Sequence, residues 1–275
     1  MDDGRPARGP LAARGEDGPH EVVLAGTSLH AMTEAQVVAH VERAWENGRG
    51  GWIHTVNLDH LRMLRGDEDF RAASQEADLR VADGAPLIWA SRLQGTPLPE
   101  RVAGSDLIRS LTGAAARSGR RVLFLGGNPG AAEEAVAILQ RETPGFAVAG
   151  IDCPPFGFEK DPEELARVRR LIEGSDADLV FLAVGAPKSE FLIRDLKSLL
   201  PKAWWAGIGI SFSFVSGEVR RAPRWVQRIG LEWVHRLLQE PRRLAKRYLV
   251  HGLPFAARLF VGAVGGRLRP RRRGA

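Results

Sequence analysis

The stretch RRVLFLGGNPGAAEEAVAILQRE, residues 120–142, decides the fold class of this chain. The run VLFL has no polar position, which is typical of a strand buried on both faces of a parallel sheet. A glycine pair follows, and the apolar residues after it recur at helical spacing. The stretch therefore predicts a strand, a tight turn and a helix, which together form the repeating unit of α/β proteins.

The same alternation continues on both sides of this stretch. Apolar runs predict further strands at EVVLAG (21–26), GWIHTVN (51–57), DLRVADG (78–84), GFAVAGI (145–151), ADLVFLAVG (177–185) and AWWAGIG (203–209). Helical patterns lie between them at 33–48, 58–77 with a break near Gly66, 104–119, 161–175 and 186–200. Thr33 with Gln36 has the spacing of a capping box, and Asp161 with Pro162 opens the fourth helix. We expect an α/β fold: a mostly parallel Rossmann-like sheet with helices on both faces, plus a basic helical C-terminal appendage.

The positive charge of the chain is concentrated at its C-terminal end. The net charge is +6, but residues 215–275 carry 15 Lys or Arg against 3 Asp or Glu, and residues 1–214 carry 24 against 30. Such a segment is attracted to polyanions, which include nucleic acid, anionic lipid and a diphosphate substrate. Charge alone does not choose among them.

These shifts in composition divide the chain into four parts. Residues 1–20 are rich in Gly, Pro and Arg and predict a disordered lead, and residues 21–214 form the α/β core. Residues 215–252 predict the basic helical appendage, and residues 253–275 a basic flexible tail. The apolar stretch at 249–266 is interrupted by His251, Pro254 and Arg258, so we expect no membrane span.

No metal or cofactor site is readable from the sequence. Cys153 is the single cysteine, and it lies in IDCPPFG without a partner at metal spacing. The acidic pairs at 67–69 and 176–178 lie at a helix start and before a strand, where structural roles suffice. The spacing of His54 and His60 fits neither one helical face nor a metal pair. We therefore expect neither a metal ion nor a cofactor.

Polar residues stand where two of the predicted strands end. Thr55 and Asn57 end one strand, and Asp83 ends another. If the two strands are parallel neighbours, a hydroxyl, an amide and a carboxylate meet at one edge of the sheet, a set suited to a sugar. Two simpler interpretations stay open, because Asn57 could cap the next helix and Asp83 with Gly84 could make only a turn.

Three strands are followed by glycine-rich turns, at 124–130, 183–190 and 206–212. Such turns present backbone N–H groups and helix N-termini to anions, and Gly126, Gly127 and Gly185 are the candidates here. None matches a complete dinucleotide or P-loop motif, so each is also compatible with an ordinary strand-to-helix turn.

The motifs TVN, ADG, RVAGSDL, FLGGNPG, VGAPKSE, GIGISFSFVSG, RRAP and GLEWVHRLLQEPRRLAKRY occur in an order that resembles the WecG/TagA/CpsF family of bacterial glycosyltransferases. The resemblance runs from about residue 21 to 250. It implies inverting, metal-independent transfer of N-acetylmannosamine, its uronic acid or glucose from a UDP-sugar to a polyprenyl-diphosphate-linked acceptor. The implied setting is synthesis of cell-envelope polysaccharide or teichoic acid at the inner face of the cell membrane.

The resemblance also implies roles for individual residues. Asp83 matches the proposed general base, Thr55 and Asn57 line its pocket, and Arg101 lies near the substrate phosphates. The residues implied to bind the UDP-sugar donor are Gly126, Gly127, Gly185, Lys188, Ser189 and Glu190. The basic C-terminal segment is implied to complete the site at the membrane surface with Arg221, Arg236, Arg243 and Arg247. An open cleft of this kind could also be completed by a second copy in a homo-oligomer.

Two positions depart from the family pattern. Ser189 replaces an expected glutamine in PKSE, and Ser213 replaces an expected acid in SFSF. They leave open an inactive family member that serves as a scaffold. A nucleic-acid-binding protein is the other alternative, with Trp225, Trp233 and Tyr248 as base-stacking candidates, although the acidic core offers no second basic face. We expect no nucleic-acid partner.

Overall fold

The computed structural model describes residues 20–268 and contains two sheets. The larger is a six-stranded, wholly parallel sheet in the order β4-β3-β8-β7-β5-β6, and the smaller is a β1-β2 hairpin. The strands are β1 Glu21–Leu24, β2 Thr27–His30, β3 Gly51–Val56, β4 Leu79–Ala82, β5 Arg121–Gly126, β6 Ala147–Asp152, β7 Leu179–Ala183 and β8 Trp204–Gly207. The predicted α/β class with a mostly parallel sheet is confirmed.

Helices connect and extend these strands. They are α1 Glu34–Glu46, α2 Leu58–Gly66, α3 Glu68–Gln75, α4 Ala85–Gln94, α5 Gly104–Arg117, α6 Ala131–Glu142, α7 Pro162–Glu173, α8 Lys188–Leu196, α9 Ser211–Ser216, α10 Arg224–Arg228, α11 Glu232–Gln239, α12 Pro241–Ala245 and α13 Leu253–Leu268. Short 3₁₀ turns lie at Phe158–Lys160 and Lys197–Leu199, and Lys246–Gly252 is π-helical.

The sheet is buried on both faces at its centre, where β7 is apolar at every position and β5 at every position after Arg121. In β7, Leu179 and Phe181 join the core on one side with α1, α5 and α6, whereas Val180 and Leu182 join the core on the other side with α7 and α8. This two-sided burial explains why the strands read as continuous apolar runs instead of alternating ones. The prediction of helices on both faces is confirmed.

The predicted helix starts are also confirmed. Thr33 and Gln36 form the reciprocal capping box of α1, and Asp161 caps α7 by accepting hydrogen bonds from the backbone N–H groups of Glu163 and Glu164. The break near Gly66 separates α2 from α3, which Asp67 caps.

The N-terminal strand departs from the predicted pattern. Instead of joining the parallel sheet, β1 pairs with β2 in an antiparallel hairpin, and neither β2 nor α4 was predicted. The two loop residues, Ala25 and Gly26, have φ angles of 50° and 84°. Positive φ at both central residues is what a two-residue hairpin turn needs, but alanine rarely adopts it, so the sequence gives little signal.

The predicted flexible tail is wrong over Leu253–Leu268, which is α13. Phe255, Leu259 and Ala263 recur at helical spacing and lie buried in the same core cluster as Leu87 of α4. Burial of this apolar stripe orders the segment despite its basic flanks. Residues 269–275 of the predicted tail and residues 1–19 of the predicted lead lie outside the described part of the chain.

Within residues 20–268, one continuous helix, Pro241–Arg267, is long and apolar enough to cross a membrane by length and composition alone. His251, Pro254 and Arg258 do not interrupt it, contrary to the sequence prediction, because Pro254 falls where the helix changes from π to α geometry. This criterion is weak for a single helix, and one stripe of it packs into the protein core. The helix therefore does not by itself establish a span.

Candidate active site

The candidate site lies at the carboxyl edge of β3 and β4, which are parallel neighbours as the sequence analysis required. Thr55 pairs in register with Val81, and the backbone N–H of Asp83 donates to the carbonyl of Val56 at 2.8 Å. Thr55, Asn57 and Asp83 are therefore brought together. This is the edge at which the parallel strands end, and open α/β sheets bind ligands outside the carboxyl ends of their strands.

Asn57 is the N-cap of α2. Its Oδ1 accepts hydrogen bonds from the backbone N–H groups of Asp59 and His60, each at 3.0 Å. The capping interpretation is therefore confirmed, and a role of this side chain toward a sugar stays a prediction.

Asp83 combines a turn with a perturbed carboxyl group. Gly84 has a φ of 115°, which favours glycine, so the chain does reverse after β4. Asp83 is partly buried, and this burial raises the pKa of its carboxyl group from 3.8 to about 6. Arg101 opposes the shift, and Glu232 and Asp106 add to it. A carboxyl group with its pKa near 6 is suited to accept a proton close to neutral pH.

Four charged side chains form an alternating ring beside Asp83. Arg101 donates to Glu232 at 2.5 Å and to Asp106 at 2.9 Å, and Arg221 donates to Asp106 at 2.6 Å and to Glu232 at 3.4 Å. Arg101 and Asp106 belong to the core, whereas Arg221 and Glu232 belong to the C-terminal segment. The ring therefore attaches that segment to the edge of the sheet that carries Asp83.

The other three predicted C-terminal arginines lie in different surroundings. Arg247 pairs with Asp59 in the first turn of α2 at 2.9 Å, close to the Asn57 cap. Arg236 lies over the ring of Phe214, with 5.5 Å between the guanidinium carbon and the ring centroid. Arg243 is 58% exposed, and its ion pair is with Glu240 of the same segment. The structure thus brings Arg221 and Arg247 to the candidate site and leaves Arg243 facing outward.

The three glycine-rich turns share the carboxyl edge of β5, β7 and β8, as predicted. Gly126 pairs in register with Ala183, and the N–H of Gly127 donates to the carbonyl of Ala183. Both glycines have φ near 90°, and a Cβ on Gly127 would lie 2.9 Å from Phe212. Tight turning explains these glycines, so anion binding by them stays a prediction.

Comparison with known proteins gives the family of this chain. A family model described as the glycosyl transferase WecG/TagA/CpsF family matches residues 22–269. The chain belongs to this family. It is 35% identical over 207 residues to an N-acetylglucosaminyldiphosphoundecaprenol N-acetyl-beta-D-mannosaminyltransferase of Bacillus spizizenii, covering 75% of this chain and 78% of the relative. A protein of the same name from Bacillus subtilis is 32% identical over 194 residues, covering 70% and 73%. The resemblance drawn from the motifs is confirmed, and the chain is a glycosyltransferase.

The PKSE motif of this WecG/TagA/CpsF member makes most of its contacts within the protein. Lys188 pairs with Glu159 at 2.5 Å and lies over the ring of Phe156. Ser189 and Glu190 are only 2% and 4% exposed. Gly185, which precedes them, has a φ of 79° and serves the turn. Ser189 and Glu190 are buried because α8 begins at Lys188 and packs against the sheet. The donor-side roles that the resemblance implies for all four residues stay predictions.

The acidic pairs have the structural roles expected of them. Asp67 accepts from the N–H of Phe70 as the α3 cap, and Asp178 accepts from the N–H of Arg121 and pairs with Arg120 at 3.1 Å. Asp178 precedes β7, so it lies at the opposite edge of the sheet from Asp83.

Sequence reasoning missed two groups of residues in this glycosyltransferase. The sequence analysis predicts no site role for Asp106 or Glu232, although each is an acid in a motif that carries the family resemblance, RVAGSDL and GLEWVHRLLQ. His54 and His60 were judged unrelated from their spacing, yet the structure brings both within 3.9 Å of Glu190. Glu190 lies about 130 positions after these histidines, and no local sequence pattern predicts a contact across that separation.

Proposed function

We propose that this glycosyltransferase moves an N-acetylmannosamine-type sugar from a UDP-sugar to a polyprenyl-diphosphate-linked N-acetylglucosamine acceptor, with inversion and without a catalytic metal. The observation that carries the proposal is the Asp83 carboxylate at the carboxyl edge of the sheet, beside the arginines of the ring. The names of the two relatives supply the acceptor and the transferred sugar.

In the proposed step, a hydroxyl oxygen of the acceptor attacks the anomeric carbon of the donor. Asp83 takes the proton of that hydroxyl as the new C–O bond forms, and the bond to UDP breaks with its electron pair staying on the diphosphate. A single displacement inverts the anomeric centre. The β-linkage in the relatives' names agrees with inversion from an α-linked nucleotide sugar.

The leaving diphosphate needs compensation for its developing negative charge. Arg101 and Arg221 are held beside Asp83 by two carboxylates, which fix their planar guanidinium groups in one place. Pre-oriented cations of this kind stabilise charge that develops in a transition state. They support the proposal that arginines take the role that a divalent cation has in many other sugar-nucleotide transferases.

A panel of UDP-sugars tests the proposal. With a polyprenyl-diphosphate-linked N-acetylglucosamine acceptor in EDTA, UDP-N-acetylmannosamine should release UDP and give a β-linked disaccharide lipid. UDP-glucose and the uronic acid donor are the comparison substrates. Turnover that needs an added divalent cation, or an α-linked product, would contradict the metal-free inverting mechanism.

The C-terminal segment supports a location at the inner face of the cell membrane. The outer surface of this segment and of the following helix α13 combines arginines with exposed apolar side chains, namely Trp225, Leu238, Leu249, Val250, Val261 and Val264. A basic amphipathic surface of this kind binds anionic bilayers by apolar insertion and by charge. Such binding would bring the ring of Arg221 and Asp106 close to a lipid-linked acceptor.

Acidic substitutions on this surface should weaken membrane binding. Val261 and Val264 are 74% and 47% exposed, so V261D/V264D should fold normally while lowering co-sedimentation with phosphatidylglycerol vesicles by at least about tenfold. The control is A137D/Q140D, because Ala137 and Gln140 are exposed on α6, which packs in a different core cluster from that of α13. Equal losses of vesicle binding in the variant and the control, or no loss in V261D/V264D, would refute the membrane-facing assignment.

The two alternatives from the sequence receive less support. Trp233 and Tyr248 pack against each other edge to face, with ring centroids 6.2 Å apart, instead of being presented for base stacking. Ser189 and Ser213 are both buried, and the Asp83 network is complete without them. An active transferase without a nucleic-acid partner is therefore the proposal that we retain.

A further inference from the structure

A second cluster of polar side chains lies inside the protein, behind the β3-α2 turn. His54 is on β3, His60 is in the first turn of α2, and Glu190 is in the first turn of α8. All three are buried, and their potential ligand atoms lie within 4.8 Å of one another. Among residues 20–268, no other group of three His, Cys, Asp or Glu side chains meets this spacing.

The ring nitrogens that face away from the cluster are already engaged. Nδ1 of His54 lies 2.8 Å from Ser74 Oγ. Nδ1 of His60 lies 3.1 Å from the carbonyl of Thr55, which can only accept, and the N–H of Asn57 is farther away at 3.4 Å. In the tautomer whose Nδ1 donates to the Thr55 carbonyl, Nε2 of His60 carries the lone pair that a metal ion would use.

The atoms that face one another inside the cluster have no hydrogen-bond partner. Nε2 of His54, Nε2 of His60 and Oε2 of Glu190 are all buried without one. The two Nε2 atoms lie 3.9 and 3.8 Å from Oε1 of Glu190, beyond hydrogen-bond distance.

The surroundings make this arrangement costly if nothing occupies it. Trp52 stacks on His54, and Phe70 contacts both imidazole rings at centroid distances of 6.0 and 5.9 Å. Unpaired acceptors in such an apolar shell lose their hydration without compensation. One cation among them would satisfy all three.

We propose that His54, His60 and Glu190 form a binding site for one divalent cation of the zinc type. Two imidazole nitrogens with one carboxylate are ligands that Zn²⁺ prefers, and each imidazole would carry the outer hydrogen bond that is usual for a metal ligand. Ligand atoms around a tetrahedral zinc ion lie about 3.3 Å apart, so each imidazole Nε2 needs to approach Oε1 of Glu190 by about half an ångström. At least one further position would be filled by water.

The ion would join three elements that carry the candidate active site. His54 directly precedes Thr55, His60 shares the cap of Asn57, and Glu190 begins the helix after the glycine turn of β7. The ion would fix β3, α2 and α8 to one another in the interior of the protein. It would not contact the reacting atoms, so the expectation of metal-free sugar transfer is unaffected, and the site does not depend on the proposed function.

Metal content tests this site without reference to activity. Tag-free protein of full length, dialysed against Zn²⁺ and then against metal-free buffer, should retain about one ion per chain by mass spectrometry. Cobalt substitution should give visible absorption with nitrogen and oxygen ligands. Added Zn²⁺ should raise the melting temperature of metal-free protein, since an ion that binds only the folded state stabilises it.

The variant E190Q separates a metal site from a merely buried cluster. Its amide can donate a hydrogen bond toward an imidazole Nε2, so it should fold, and it should lose the bound ion together with the Zn²⁺-dependent rise in melting temperature. H60A should lose the ion as well, whereas H251A, at an exposed histidine of the C-terminal helix, should retain it. Less than about a tenth of an ion per chain in the wild type, or equal retention by E190Q, would overturn the proposal.

Discussion

Replacing Asp83 by asparagine should lower kcat by about 10²- to 10⁴-fold, the contribution usual for a general base. Asparagine has nearly the same shape and can occupy the same turn before Gly84, but it cannot accept the proton of the acceptor hydroxyl. The Arg101 and Arg221 ring does not use Asp83 as a hydrogen-bond partner, so substrate affinity should change much less than turnover.

The same substitution should make the protein more stable near neutral pH. The folded-state pKa of Asp83 is raised from 3.8 to about 6, so folding disfavours its charged form. The contribution of this carboxyl group to stability is thus fully present below pH 3.8 and is lost as the pH rises through 6. D83N has no carboxyl group to ionise at this position, so its free energy of unfolding should exceed that of the wild type by up to about 3 kcal/mol at pH 7.5. This difference should vanish near pH 3.8.

Turnover and melting temperature measured together check this prediction. The matched control is D176N, since Asp176 is 84% exposed at the opposite edge of the sheet and asparagine tolerates its positive φ. The wild-type rate should fall about tenfold for each pH unit below 6, and the control should follow the same profile. Full turnover in D83N, or a rate that is flat across pH 6, would remove Asp83 from the role of base.

The fold was largely predictable because its signals are local. The central strands β5 and β7 are nearly unbroken apolar runs, and the caps at Thr33 and Asp161 mark where helices begin. The meeting of Thr55 with Asp83 followed from one rule, since adjacent parallel strands present their carboxyl ends at the same edge. The C-terminal helix was missed because its basic flanks concealed the buried stripe of Phe255, Leu259 and Ala263.

The electrostatic setting of Asp83 was not predictable in the same way. Arg101 pairs with Glu232, 131 positions later, and Arg221 pairs with Asp106, 115 positions earlier. No periodicity or spacing encodes a contact of that length. Two of the charges that shift the pKa of Asp83, those of Glu232 and Arg221, likewise reach it only because the C-terminal segment packs on the core, which is a tertiary property.

Arg221 should be the arginine of the C-terminal segment whose loss is most damaging. R221M keeps much of the side-chain length and apolar packing but removes a cation beside Asp83, and kcat should fall by about 10²- to 10³-fold if the cation stabilises the departing diphosphate. Because Arg221 also lowers the pKa of Asp83, its removal should move the pH–rate profile to higher pH.

The conservative variant distinguishes charge from geometry. R221K retains the charge but cannot donate from a planar fork to both Asp106 and Glu232, so its kcat should lie between those of R221M and the wild type. R117M is the matched control, because Arg117 is 63% exposed and pairs with Glu42 outside the site. Limited proteolysis reports whether the C-terminal segment stays attached. If R221M is folded and attached, with wild-type kcat and an unmoved pH profile, the ring serves only to hold the segment on the core, and the diphosphate must be stabilised by other groups.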